Sequence, residues 1–250
     1  MVKIKTSQEI QIMQKGGQML SETMWEVVKT LRPGMSEIDV DNLAEKLILQ
    51  KGGEPGFKLV EGYKHTICIS TNDVCVHGIP GDYIFKTGDV VGIDCGVYYK
   101  GFHTDMSETV VIGQTSKEVK KFLDVGKKAL KAGINQAQVG NRVGHISKAI
   151  QDVVEVASAY SVVRSLVGHG VGKELHEEPE VPGYVQGKIE KSFQLKEGMV
   201  IAIEVIYNMG DPELVLDYDG WTLRTKDSSL SGLFERTVAI TKNGPQVLTQ

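Results

Sequence analysis

From Ile10 to Leu31 the apolar residues recur at every third or fourth position, the spacing of a helix with one buried face. Thr6 with Glu9 forms a capping box before it, and "RPG" at 32–34 stops it. Ser36 with Asp39 opens a second helix, which Gly52-Gly53 closes. The same order then returns. Ser116 opens "SKEVKKFLDVGKKALKAG", and "RVGHISKAIQDVVEVASAY" at 142–160 reads as a further helix. After each helix pair the period shortens to that of buried strands. "FKTGDVVGID" at 85–94 and "LKEGMVIAIE" at 195–204 share the pattern K-x-G-x-V-x-x-I-[D/E], displaced by 110 residues. The first helix starts, Ser7 and Ser116, lie almost the same distance apart. Internal repetition at this length predicts an α/β fold of two similar halves, roughly 1–114 and 115–250, related by a pseudo-twofold axis within one domain.

Composition narrows the class without fixing it. The 250 residues are 41% hydrophobic and 24% charged, ordinary values for a globular chain. A net charge of −4, with no run that concentrates the 28 Lys and Arg, argues against a nucleic-acid-binding surface. "KKFLDVGKKALK" at 120–131 has helical spacing and reads as a solvated helix face. No segment is long enough to span a membrane, and the N-terminus carries no apolar signal core. Three cysteines, Cys68, Cys75 and Cys95, without CxxC spacing, point to a reducing compartment, most simply the cytoplasm.

The charges inside strands change the picture most. Glu204 interrupts "MVIAIEVIY" at 199–207, and the repeat places Asp94 at the equivalent point of the first half. An ionised carboxylate in such a strand needs a cation or several donors, because an unpaired buried charge is costly. "DVVGIDCGVYYKGFHTDMSETVVI" reads as a hairpin turning near Tyr99-Lys100-Gly101. With the turn on Tyr99-Lys100, Asp94 and Asp105 stand opposite; on Lys100-Gly101 they stand diagonal; both registers put them on one face. Glu235 interrupts another apolar strand, "LFERTVAIT". "GHGVGKELHEEP" sets His169 between glycines with His176 seven residues later, and "VHGIP" sets His77 in a Gly-Pro turn. Four carboxylates and one imidazole form a hard, oxygen-rich donor set that suits Mn²⁺, Fe²⁺, Co²⁺ or Zn²⁺. Bridging carboxylates of this kind hold two ions about 3.5–4 Å apart. Glu204 would then be buried because metal ions are its partner. His65, His103 and His145 have no comparable setting and read as structural.

The order Asp94, Asp105, His169, Glu204, Glu235, with His77 in "HGIP", His176 in "GHGVGKELHEEP" and the segment "DGWTLRTKD" at 219–227, resembles the type I methionine aminopeptidases over nearly the whole chain. The resemblance implies a "pita-bread" α/β fold around a dinuclear metal site. It implies Asp94 on one metal, His169 and Glu204 on the other, and Asp105 and Glu235 bridging. It further implies Glu204 as proton shuttle, His77 and His176 on the scissile peptide and tetrahedral intermediate, and Tyr63, Cys68 and Trp221 around the methionine side chain. Nascent chains emerging from the ribosome are the implied substrate, and a monomer the implied state. Five positions depart from the family pattern: Val205 stands for Pro, Arg236 for His, Leu166 for an aromatic or Met, Gly183 for His or Asn, and Leu175 for a bacterial Phe. Two other readings use the same residues: an X-Pro aminopeptidase or prolidase with the same metal site, and a binding protein of this fold. The segment "DGWTLRTKD" and the short N-terminus favour the methionine enzyme over the first, and retention of all five ligands disfavours the second.

Overall fold

The computed structural model describes residues 2–250. Helices α1 (Ser7–Thr30) and α2 (Glu37–Gln50) precede strands β1 (Glu54–Pro55), β2 (Ile67–Thr71), β3 (Val74–Val76), β4 (Val90–Tyr99) and β5 (Phe102–Val111). Helices α3 (Lys117–Gln136) and α4 (Val143–Gln151) precede β6 (Ser161–Val162), β7 (Gly168–Gly170), β8 (Glu177–Val181) and β9 (Val200–Asn208). The chain ends with β10 (Leu214–Leu216), β11 (Leu223–Thr225), β12 (Ser231–Thr241) and β13 (Gly244–Val247). Among the described residues ten strands form one antiparallel sheet, with the path β1-β4-β5-β12-β9-β7-β8. Strands β10, β11 and β3 form a second, small sheet.

The capping signals are used as the sequence predicts. Thr6–Glu9 and Ser36–Asp39 both form reciprocal capping boxes. Thr6 and Ser116 are the N-caps of α1 and α3, 110 residues apart, with the same backbone angles, φ −70° and ψ 162°. One expectation needs correction. The segment 142–160 is not a single α-helix: α4 ends at Gln151 and the chain widens into a π-turn over Asp152–Val156.

The repeat is also written in hydrogen bonds. Gly88 N–H donates to Ile112 C=O (2.7 Å) and Gly198 N–H to Ile240 C=O (2.9 Å). Phe85 N–H donates to Met35 C=O and Leu195 N–H to Asn141 C=O. Single bridges join Ser36 to Ile84 and Arg142 to Gln194. The K-x-G segments themselves are turns, and each main strand begins two residues after its glycine.

Two apolar cores lie on one face of the sheet. Leu20, Met24, Val40 and Ile48 of α1 and α2 pack on Ile67, Ile93, Cys95 and Met106. Phe122, Ala129, Ile146 and Ile150 of α3 and α4 pack on Ile201, Ile203, Val205 and Phe234. Fully burying one such large aliphatic or aromatic side chain contributes about 1.5–3 kcal/mol. The helix-covered face therefore carries the stability, and the opposite face is free to hold groups that oppose it.

Candidate metal centre and substrate cleft

The site follows from register. Cys68 of β2 opposes Asp94 of β4, Asp94 opposes Ser107 of β5, Ser107 opposes Glu235 of β12, and Glu235 opposes Glu204 of β9. Residues opposed across antiparallel strands point to the same face, so these five form one row across the sheet. The hairpin turns on Lys100-Gly101, since Tyr99 pairs with Phe102. Asp105 accordingly opposes Gly96, diagonal to Asp94 and on the same face. His169 of β7 opposes Ala202, two residues from Glu204, and joins that face as well. All five sequence-predicted ligands converge.

Single strand details hold them there. Beyond the Arg236–Met106 pair, Thr237 inserts its hydroxyl between β12 and β5, donating to Asp105 C=O (2.8 Å) and accepting Asp105 N–H (2.9 Å). Thr109 does the same from the other strand, donating to Leu233 C=O (2.7 Å) and accepting Leu233 N–H (2.9 Å). These two threonines frame the part of the sheet that carries Ser107 and Glu235.

The electrostatics are unfavourable for the protein alone. Among the described residues no Lys or Arg makes an ion pair with Asp94, Asp105, Glu204 or Glu235; Asp105 and Glu204 face the imidazole of His169 instead. Burial pushes the Asp94 carboxyl up to about 7. Burial, and then repulsion from neighbouring carboxylates, pushes Asp105, Glu204 and Glu235 well above the usual range. Burial lowers His169 to about 4, so its imidazole is neutral. Its Nδ1 lies 2.8 Å from Gly170 C=O, an acceptor, which leaves the Nε2 lone pair facing Glu204 Oε1 (3.4 Å) and Asp105 Oδ2 (4.0 Å).

These residues fit a divalent cation. Donor atoms of Asp105, His169 and Glu235 all lie within 4.8 Å of one another. Asp94 Oδ1 is buried without a hydrogen-bond partner among the described residues, which is costly unless a cation meets it. Four buried carboxylates and a neutral imidazole are oxygen-rich, borderline-hard donors of the kind that first-row divalent metals take.

Two cavities meet at the cluster. The smaller, of about 80 Å³, is lined by Phe57, Val60, Tyr63, Cys68 and Leu175 together with the four carboxylates. A cleft of about 500 Å³ runs past Val76, Leu166, Ile206 and Leu233. His77 and His176 line both. The rings of His176 and His169 lie 4.4 Å apart, and burial lowers the pKa of His77. His77 has φ 57°, a left-handed conformation costly for a residue with a side chain and frequent at functional positions. Trp221 packs behind Tyr63, ring centroids 5.2 Å apart, and Tyr63 O–H donates to Ile67 C=O (2.8 Å). Phe57 and Val60 are pocket residues that sequence reasoning missed. The ring of Phe57 fits because Gly96 lacks a Cβ, which would come within 2.8 Å of it.

The departures from the family pattern fall outside the ligand set. Arg236 lies on the helix-covered face, bonded to Glu108 (2.7 Å) and Ser107 C=O (2.9 Å). Val205 is core, opposite Phe234. Gly183 has the side chains of Val162 and Ile150 as neighbours, Leu166 lines the cleft, and Leu175 lines the smaller pocket. The three remaining histidines have structural settings. His145 Nδ1 accepts Arg142 N–H at the start of α4, His65 lies beside Asp41, and His103 packs on Tyr98.

A buried carboxylate–histidine centre at the seam of two α/β halves defines a metallohydrolase, and similarity to known proteins agrees. Residues 11–242 match metallopeptidase family M24. The chain is 43% identical over 249 residues to a methionine aminopeptidase of Clostridium perfringens, covering 100% of this chain and 99% of that one. It is 41% identical to methionine aminopeptidase 1 of Bacillus subtilis, with both chains fully covered. The crystal structure of methionine aminopeptidase from Thermotoga maritima superposes with a TM-score of 0.96, 38% identity and full coverage of both chains. Prolidase from Pyrococcus furiosus gives 0.80 at 25% identity, covering 99% of this chain and 65% of that one. The chain belongs to metallopeptidase family M24, and its fold is the pita-bread α/β fold of these structures.

Proposed function

We infer that the protein is a methionine aminopeptidase, a metal-dependent hydrolase that removes the N-terminal methionine from peptides and nascent chains. The observation that carries this reading is the juxtaposition of the carboxylate–histidine face with a small pocket of aromatic, aliphatic and thiol groups. An apolar, polarizable pocket suits a thioether, and burying a methionine side chain is worth about 1.5–3 kcal/mol. A lysine there would bury its ammonium beside Tyr63 and Phe57 at greater cost.

Asp94, Asp105, His169, Glu204 and Glu235 would hold two divalent ions, Co, Mn, Fe or Zn. When bound, such ions supply Lewis acidity and a water nucleophile at neutral pH. Glu204, which lines both cavities, accepts the proton of the attacking water and passes it to the departing amine. His77 and His176, which line both cavities, orient the scissile carbonyl and hydrogen-bond the oxygen on which charge develops. Tyr63 and Cys68, with Phe57 and Leu175, surround the side chain, and Trp221 backs Tyr63. The whole set comes from one chain, which supports a monomer whose halves, dividing near residues 114 and 115, form a single catalytic domain. The free thiols of Cys68, Cys75 and Cys95 accord with a reducing cytoplasm, where nascent N-termini arise beside the ribosome.

Release of methionine from Met-Ala-Ser, compared with cleavage of Xaa-Pro peptides, with and without added divalent metal, tests the reading. Metal-dependent cleavage of Met-Ala-Ser is expected. Preference for Xaa-Pro would move the assignment to the prolidase class, and full activity in metal-free protein would end it.

A further inference from the structure

Apart from the carboxylate cluster, an ion pair of comparable burial lies next to the cleft. Lys5 Nζ is 2.8 Å from Glu177 Oε2, and the two side chains are 5% and 3% exposed. The other carboxylate oxygen, Oε1, accepts the N–H groups of Lys173 (3.0 Å) and Glu174 (3.3 Å), and the exposed Lys3 reaches it at 3.3 Å. Glu177 thus closes the turn that carries His176, its immediate neighbour. Lys5 is fixed in turn. Its N–H donates to Gly198 C=O (2.7 Å) ahead of β9, and its stem crosses Gly172, where a Cβ would come within 2.5 Å of Cε. Gly172 C=O accepts His103 N–H (2.7 Å), tying the same turn to β5.

A buried ion pair is an inefficient source of stability, because desolvation costs several kcal/mol per ion and an apolar pair of similar volume often does as well. Its directional bonds do fix geometry. Here they join the N-terminal segment, the start of β9 and the turn that presents His176 beside His169.

We propose that Lys5, acting through Glu177, is a positioning residue that fixes the His176 ring over the reacting carbonyl. The proposal rests on the catalytic reading of His176 given above. It is tested with four metal-loaded full-length proteins: wild type, Lys5→Met, His176→Ala, and the double variant. Lys5→Met is expected to lower kcat on Met-Ala-Ser about 10- to 100-fold, the range that a misplacement of about 1 Å can cause, with KM and bound metal per chain unchanged. In the His176→Ala background the same substitution is expected to have no further effect on kcat. A Lys5→Met protein with wild-type kcat, with less bound metal, or with an equal fall in both backgrounds overturns the proposal. Wild-type kcat in His176→Ala overturns instead the role of His176. Should Lys5→Met not fold, Lys5→Gln, which keeps a donor toward Glu177, carries the same comparison of backgrounds.

Discussion

In the first half of the chain β4 and β5 set Asp94 opposite Ser107; in the second, β9 and β12 set Glu204 opposite Glu235. The offsets that relate these pairs, 110 and 128 residues, also relate Gly88 to Gly198, Ile112 to Ile240 and Thr109 to Thr237. One backbone plan thus occurs twice with different side chains. The second half places two carboxylates directly opposite one another, an arrangement that repels without a cation. The first half places one carboxylate opposite a hydroxyl and moves its other acid, Asp105, to a diagonal position. The plan fixes where a ligand can stand, and the residue chosen decides whether one stands there.

The sharpest way to break the comparison is at Glu204. Glu204→Gln keeps the shape and one acceptor oxygen but cannot carry a proton. Its kcat is expected to fall by at least the 10²–10⁴-fold typical of a lost general acid–base, with an unchanged circular dichroism spectrum. Steady-state kinetics on Met-Ala-Ser checks this, and near wild-type kcat would show that another group is the shuttle.

Glu235 and Ser107 are equivalents by register, so removing each side chain should expose their difference. Glu235→Ala is expected to lose bound metal, measured by elemental analysis, and most of its activity. Ser107→Ala should retain both, because the Ser107 hydroxyl is buried without a partner among the described residues and its removal relieves an unmet desolvation cost. Metal loss in Ser107→Ala would make the serine part of the centre.

The two bridging threonines are a finer pair. Each of Thr109→Val and Thr237→Val removes two buried hydrogen bonds between β5 and β12. Each is expected to cost about 1–3 kcal/mol in denaturant unfolding of the metal-free protein. Metal affinity should weaken only in Thr237→Val, since that hydroxyl holds the backbone of Asp105.

A further contrast concerns pH. The four carboxyls have folded-state pKa values above those of the unfolded chain. Between about pH 4, the ordinary carboxylate value, and about 7, where Asp94 titrates, the folded metal-free protein binds more protons than the unfolded one. The contribution of Asp94 to stability is therefore greatest at low pH and is lost as pH rises through this window, and the raised Asp105, Glu204 and Glu235 carboxyls act in the same direction. Thermal unfolding of metal-free protein should show that fall, and metal-loaded protein, whose carboxylates are paired with cations, should not.

What was legible in the sequence was periodic or costly. The capping boxes, the helix pairs and the repeated strands follow a local pattern, and an acid inside an apolar strand is conspicuous because it violates one. Those signals picked out the four acids that the structure gathers on one face, and the flanking glycines picked out His169. Phe57 and Val60 were missed because an apolar residue in a short 3₁₀ turn looks like any other; only the missing Cβ of Gly96, distant in sequence, gives the ring its place. Ser107, Thr109 and Thr237 were missed because a hydroxyl in a strand has no unusual cost until its neighbours are known. The diagonal placement of Asp105 depended on a one-residue choice of turn that the sequence left open.

The row of ligands crosses from β5 to β12, and that crossing bears on how the molecule assembles. Ser107 and Glu235 must meet although 128 residues separate them, so this pairing closes the longest loop on the path and belongs to the slow, non-local part of folding. A half-formed chain, with either pair of strands alone, has no more than part of the donor set. The cation then has nothing complete to bind until the seam closes. A cation bound there would act as a latch on the finished molecule, with unfolding expected to slow and the speed of assembly to stay the same.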